Sequence, residues 1–270
     1  MVTRLLTLMA LLALLASLAA APARAGEHVI EATVIPGWRM ADGTHMAGLR
    51  LKLKPGWKTY WRSPGDTGFA PQFDWRNSGN LKGVRVEWPS PGRYMQGGLL
   101  TIGYIDEVVL PLAISPKRKG QPITLKAALD LGVCQDVCIP VQLWVEATLP
   151  AARARPDPRI NAALAARPYS ARKAGVSGVS CRITPTADGL RLSASIRMPP
   201  AGGDEMVLVE TGNPEVWVAP ATSSRSGRTL SAETRLVHVQ GRPFALNRSA
   251  LRLTVLGRKY AVDIQGCPAG

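Results

Sequence analysis

The sequence predicts an all-β protein made of two β-sandwich domains joined by a short, partly helical linker. Three observations carry that expectation. Apolar residues alternate with polar ones in many short runs, turn-forming residues punctuate the runs, and no long amphipathic helix interrupts them.

The first half shows the pattern most clearly. Leu49, Leu51 and Leu53 alternate with Arg50, Lys52 and Lys54, as a half-buried strand requires. Ile123, Leu125, Ala127, Leu129 and Leu131 repeat it, and so do Val141, Leu143, Val145 and Ala147. Pro55-Gly56, Pro64-Gly65, Pro89, Pro91-Gly92 and Gly97-Gly98 supply the turns between runs. The composition then changes: Arg153, Arg155, Pro156 and Pro158 read as an exposed linker. Asp157-Pro158 is an N-cap followed by proline at the first helical position, which predicts a short helix over residues 160–167 ended by Pro168. Alternation resumes with Leu190, Leu192, Ala194 and Ile196, and further strands are expected over residues 206–209, 215–219, 251–256 and 260–264. The expected division is a signal peptide over 1–25, a first domain over 26–150, a linker over 151–176 and a second domain over 177–270.

Residues 1–25 are set aside from the fold. Arg4 precedes an apolar run over residues 5–20, and Ala23-Arg24-Ala25 gives the small-x-small pattern of a signal-peptidase site. The run is short for a spanning helix, and no later stretch reaches spanning length. Export across the inner membrane, cleavage before Gly26 and a periplasmic, non-spanning mature chain are expected. The formal net charge is +14. The arginines are scattered singly and no aromatics are interleaved with basic clusters, so a nucleic-acid surface is not indicated. An anionic membrane surface or an acidic partner suits the charge better. A glycine loop ending in Lys-Ser/Thr and a nucleophile elbow are both missing, which argues against nucleotide binding and hydrolysis.

Four cysteines follow the export signal, where disulfides persist. They allow three pairings, and sequence distance favours Cys134 with Cys138 and Cys181 with Cys267. A Cys181–Cys267 bridge would close a long loop and contribute about 4 kcal/mol, a structural role. Cys134 and Cys138 pose a different problem. On one continuous strand they would lie about 13 Å apart, so either they stay unpaired or the chain turns between them. A bridge across such a turn closes a loop too small to stabilise much, which suits a bond that is reduced and reformed. A plain hairpin staple and a metal site are the rivals. Two thiolates suit Cu(I), and Met40, His45 and Met46 form a loose cluster for soft copper. Zinc would need two further ligands, and His28, His45 and His238 show no ligand spacing. No cofactor is expected.

A longer ordered series of motifs surrounds the pair. Residues 56–68 read GWKTYWRSPGDTG, followed by Pro71 and Phe73-Asp74-Trp75. Then come Trp88-Pro89-Ser90-Pro91, Gly103-Tyr104, Val108-Val109-Leu110-Pro111 and Cys134-Gln135-Asp136-Val137-Cys138-Ile139-Pro140. The series resembles the N-terminal periplasmic domain of DsbD-type disulfide reductases, most of all the ScsB branch, the suppressor-of-copper-sensitivity proteins. It covers about residues 28–150, and the second domain is similar in kind to the extra domain of ScsB proteins.

The resemblance implies immunoglobulin-like sandwiches and a redox pair at Cys134 and Cys138. That pair would relay electrons between a membrane-embedded thiol–disulfide reductase and periplasmic thioredoxin-like proteins. It also implies a cap loop bearing an aromatic residue, expected over residues 93–98 with Tyr94 or Met95 as the lid. Tyr60 and Trp61 are expected either as walls of the site or as core aromatics. Two departures stand out. Only three residues separate the cysteines, and no membrane region or thioredoxin-like domain follows before Gly270, so a separate membrane partner is expected. Asp136 would raise a thiol pKa, and no His or Lys adjoins the pair in sequence. Three readings are therefore open: a redox relay, a copper-handling module, and a docking module without redox chemistry.

Overall fold

The computed structural model describes residues 29–66, 68–152 and 154–270. The expected signal peptide lies outside the described residues. Two sandwiches follow one another along the chain. In the first, one sheet runs β1 (Ile30–Arg39), β2 (His45–Leu53), β8 (Glu107–Pro116) and β5 (Leu81–Val86). The facing sheet runs β10 (Cys138–Leu149), β9 (Ile123–Cys134), β3 (Lys58–Gly65), β7 (Leu99–Ile105) and β6 (Gly92–Gln96), and β4 (Gln72–Asp74) pairs with β9. This is the all-β sandwich that the alternating runs predict, in the immunoglobulin-like arrangement that the family resemblance implies.

The period-2 runs bury one face each. Leu49 and Leu51 of β2 and Leu125, Leu129 and Leu131 of β9 are essentially inaccessible, and they meet Leu110, Leu112 and Trp61 in one core. A fully buried leucine is worth about 1.5–3 kcal/mol relative to an exposed one, so these rows fix the register of both sheets.

Helix α1 (Pro158–Ala165) begins where the sequence places it: Asp157 accepts from the Arg159 N–H, and Pro158 occupies the first turn. The helix is not a free spacer. Ile160 is fully buried with Ile35, Met46 and Ala113 on the outer side of the first sandwich. Tyr169–Ser170, expected in the linker, form β11 and pair in parallel with β19 (Ala261–Gln265).

The second sandwich has one sheet of β11, β19, β18 (Arg252–Leu256) and β14 (Met206–Glu210). The other runs β12 (Gly178–Thr186), β13 (Gly189–Arg197), β17 (Thr229–His238) and β15 (Val216–Val218), with β16 (Thr222–Ser226) on β17. Cys181 and Cys267 are bonded to each other inside its core, each 1% exposed. Strand alternation makes the first of these sheets two-sided. Val207, Val209, Val255 and Val262 face their own core, whereas Leu208, Leu256 and Ala261 join the core of the first sandwich. Arg62 of β3 crosses the same boundary, donating to Glu210 at 3.0 Å and to the Thr254 hydroxyl at 3.1 Å. Arg93 of β6 donates to the Asp204 carboxylate at 2.7 Å.

Candidate redox site

The site begins with a hairpin. Strands β9 and β10 pair from Ile123 opposite Leu149 through to Cys134 opposite Cys138, without a break in register. Gln135, Asp136 and Val137 make the turn, which brings the cysteine Cα atoms to 4.1 Å, and the two sulfurs are bonded. The two halves of the bridge are unlike. Cys134 is 6% exposed at the end of a buried strand, whereas Cys138 opens the edge strand and is exposed. A nucleophile arriving from solvent therefore meets Cys138.

Tyr60 connects this hairpin to the middle of the sheet. Thr59 pairs with Val133 and donates its hydroxyl to the Gly132 carbonyl at 2.9 Å, which sets β3 against β9. Tyr60 then stands over Gly132. A Cβ there would come within 2.6 Å of Tyr60 Cε2, so the missing side chain is what admits the ring. The Tyr60 hydroxyl donates to Cys138 Sγ at 3.1 Å. Trp61, one residue on, points to the opposite face by strand alternation. It is fully buried in the sandwich core under the Arg62 guanidinium, 3.8 Å from the ring centroid. Of the two aromatics expected as walls, Tyr60 stands at the pair and Trp61 belongs to the core.

The segment after β3 packs against Tyr60. Gly68 has φ +87°, and a Cβ there would collide with the Tyr60 ring. Phe69 follows, its ring centroid 6.5 Å from that of Tyr60 and its side chain 41% exposed. It also approaches Gly132, where a Cβ would lie 3.4 Å from Phe69 Cε1. Met95 sits elsewhere, whereas Tyr94, on the same strand, directs its hydroxyl to the Ile105 backbone, near Asp106. They lie on β6, which is separated from β9 by β7 and β3, roughly 14 Å across the sheet. Met95 pairs with Leu100, whereas Ile105 pairs with Lys58 at the level of Cys134, about 17 Å further along β7. Tyr94 is half-buried, and burial raises its phenol pKa. The β6–β7 hairpin is also tied to the segment after β3. Asp66 donates its N–H to the Leu100 carbonyl and its carboxylate accepts from the Leu100 N–H, both at 2.8 Å.

The expectation that no basic residue adjoins the pair is corrected by the register. Lys58 lies directly opposite Cys134 on β3. The sequence hides this neighbour because it is 76 positions away, and only strand pairing reveals it. Gly132 and Phe69 were likewise not singled out: a glycine inside an alternating run and one aromatic after a Pro-Gly turn carry no periodic signal.

The loose copper cluster does not converge. Met40 and Met46 line a cavity of about 410 Å³ with Asp42 and Thr44. His45 precedes Met46 on the same strand and so faces the other way. Its Nε2–H donates to the Pro36 carbonyl at 2.5 Å, and its side chain is fully buried. Among the described residues no group of three or more His, Cys, Asp or Glu side chains is placed to hold a metal ion. No helix among them is long and apolar enough to cross a membrane.

Comparison with known proteins agrees with this geometry. A search of curated proteins finds no match. Among solved structures, the N-terminal periplasmic domain of ScsB from Proteus mirabilis superposes with a TM-score of 0.66 at 24% identity, covering 90% of this chain and 95% of that one. At that identity the likeness is one of fold, and it extends across both sandwiches. The family model for the thiol:disulfide interchange protein DsbD, N-terminal, matches residues 30–150, the segment that contains β1 to β10, Tyr60 and the Cys134–Cys138 hairpin. Residues 30–150 belong to the family of DsbD N-terminal domains.

Proposed function

We propose that the protein is a periplasmic thiol–disulfide exchange module. It relays electrons between a membrane-embedded thiol–disulfide reductase and periplasmic thioredoxin-like proteins through Cys134 and Cys138. The observation that carries this reading is the asymmetry of the hairpin disulfide: one sulfur is buried, and the other is exposed and accepts a hydrogen bond from Tyr60. A bridge serving only as a staple has no use for a donor aimed at its accessible sulfur.

The chemistry follows from that asymmetry. In the oxidised protein, a thiolate of the reducing partner attacks Cys138 Sγ. The bond between Cys138 and Cys134 breaks, a mixed disulfide with Cys138 forms, and Cys134 departs as thiolate. The partner's second thiolate then attacks its own sulfur in the mixed disulfide and frees Cys138. Two electrons have entered the pair, and the partner is left as a disulfide. The outgoing half runs the same steps in reverse. Cys138 thiolate attacks an oxidised partner, and Cys134 thiolate resolves the mixed disulfide by attacking Cys138 Sγ. The Tyr60 O–H stabilises the Cys138 thiolate in both directions, because a hydrogen bond to the charged form favours it. Phe69 stands over this donor as the lid that a docking partner displaces.

Single-cysteine trapping tests the order of events. A Cys134→Ser variant cannot resolve the mixed disulfide and is expected to accumulate a covalent adduct with a thioredoxin-like protein, read by non-reducing electrophoresis and mass. Cys138→Ser is expected to give little adduct. Equal trapping by both variants, or by neither, contradicts the assignment.

A further inference from the structure

The relay leaves a problem at Cys134. This sulfur must carry negative charge whenever a partner has opened the disulfide, yet it is 6% exposed, and burial disfavours a thiolate. Its surroundings supply acids. Asp136 lies two residues on in the turn. Asp106 accepts from the Gly56 N–H at 2.6 Å and follows Ile105, the residue paired with Lys58. Left to these groups, the leaving thiolate would be unfavourable.

Lys58 answers this from the neighbouring strand. It pairs directly with Cys134, and directly opposed residues present their side chains on one face with Cβ atoms about 4.5–5.5 Å apart. Two residues along that same face, Tyr60 directs its hydroxyl to Cys138. Strand β3 thus sets Lys58 opposite Cys134 and Tyr60 against Cys138.

We propose that Lys58 is the counter-charge that holds the Cys134 thiolate formed when a partner opens the disulfide, an inference that rests on the relay reading. In the step concerned, the partner's sulfur bonds to Cys138 Sγ, the Cys134–Cys138 bond breaks, and its electron pair leaves on Cys134 Sγ beside the Lys58 ammonium. No proton is required at Cys134 for the step to proceed. Lower basicity of a leaving thiol speeds exchange, so Lys58 acts on the rate as well as on the equilibrium.

The test isolates Cys134 in a Cys138→Ser background and follows thiolate ultraviolet absorbance against pH, since the Cys181–Cys267 bridge does not titrate. Lys58→Met is expected to raise the midpoint by about one pH unit, and Lys58→Arg to restore it. Lys58→Gln serves as the second neutral variant should Lys58→Met fold poorly. With both cysteines present, opening of the disulfide by dithiothreitol is expected to slow roughly threefold or more in the neutral variants, at an unchanged unfolding midpoint. A Cys134 midpoint that is the same with Lys, Gln and Met at position 58 overturns the inference. The relay reading fails separately: it fails if the pair in the unsubstituted protein cannot be reduced by an exchange protein, whatever Lys58 does.

Discussion

Gly132 shows how much of the site depends on single positions. Its missing side chain admits the Tyr60 ring, and the ring delivers the hydroxyl to Cys138. Gly132→Ala is expected to force the ring aside and to cost about 1–3 kcal/mol through overpacking, measured by urea unfolding. The same variant loses the hydrogen bond to Cys138, so the alkylation rate of Cys138 in reduced protein should fall at neutral pH. Unchanged stability and unchanged alkylation would contradict the packing described. At this scale the sequence is uneven in what it reveals. The cysteines are legible from their spacing between two alternating runs, and Tyr60 from its motif. Trp61 was not separable from Tyr60 until strand alternation placed one on each face. The contact of Phe69 with Tyr60 was not legible, because it depends on which loop folds back over the sheet.

At the scale of elements, β9 and β10 were readable nearly end to end, since a period-2 run with one buried face leaves a single register open. Helix α1 was equally readable from Asp157-Pro158. Its docking was not, because the surface that receives Ile160 is assembled from β1, β2 and β8. Strand β2 carries a pH dependence of its own. Burial lowers the His45 pKa below the ordinary 6.5, the Pro36 carbonyl opposes that shift, and the nearby Arg39 charge reinforces it. The neutral ring is therefore the folded form, and the unfolded chain binds the extra proton. Stability from this group is complete above about pH 6.5 and is lost as pH falls below that value. The urea midpoint is expected to drop between pH 7.5 and 5.5. In His45→Gln it should be lower throughout but flatter across that window; an equal slope in both proteins would contradict the assignment.

At the scale of the whole molecule, the second sandwich is fastened to the redox sheet. Arg62 lies two residues beyond Tyr60 on β3 and is 11% exposed while bridging to Glu210. Desolvation lowers its pKa, an effect only partly offset by Glu210. The sequence showed two sandwiches but not this contact, since an arginine in a strand looks the same whether it meets solvent or another sheet. The second sandwich also has its own staple. The Cys181–Cys267 bridge spans 86 positions, and replacing both cysteines with alanine is expected to destabilise that unit by about 4 kcal/mol in chemical denaturation. The Cys134–Cys138 bridge spans four positions and should contribute far less to stability. Equal losses from the two double replacements would contradict this division between a structural bridge and a redox bridge.

The reduction potential of the Cys134–Cys138 pair distinguishes a redox bridge from a structural one. Purified protein is equilibrated in thiol redox buffers and its free thiols are counted by mass. A relay pair is expected to titrate reversibly at about −180 to −270 mV, among the exchange proteins, with Cys181–Cys267 still closed. A Cys134–Cys138 pair that stays oxidised below about −300 mV would contradict the relay and mark the bridge as structural.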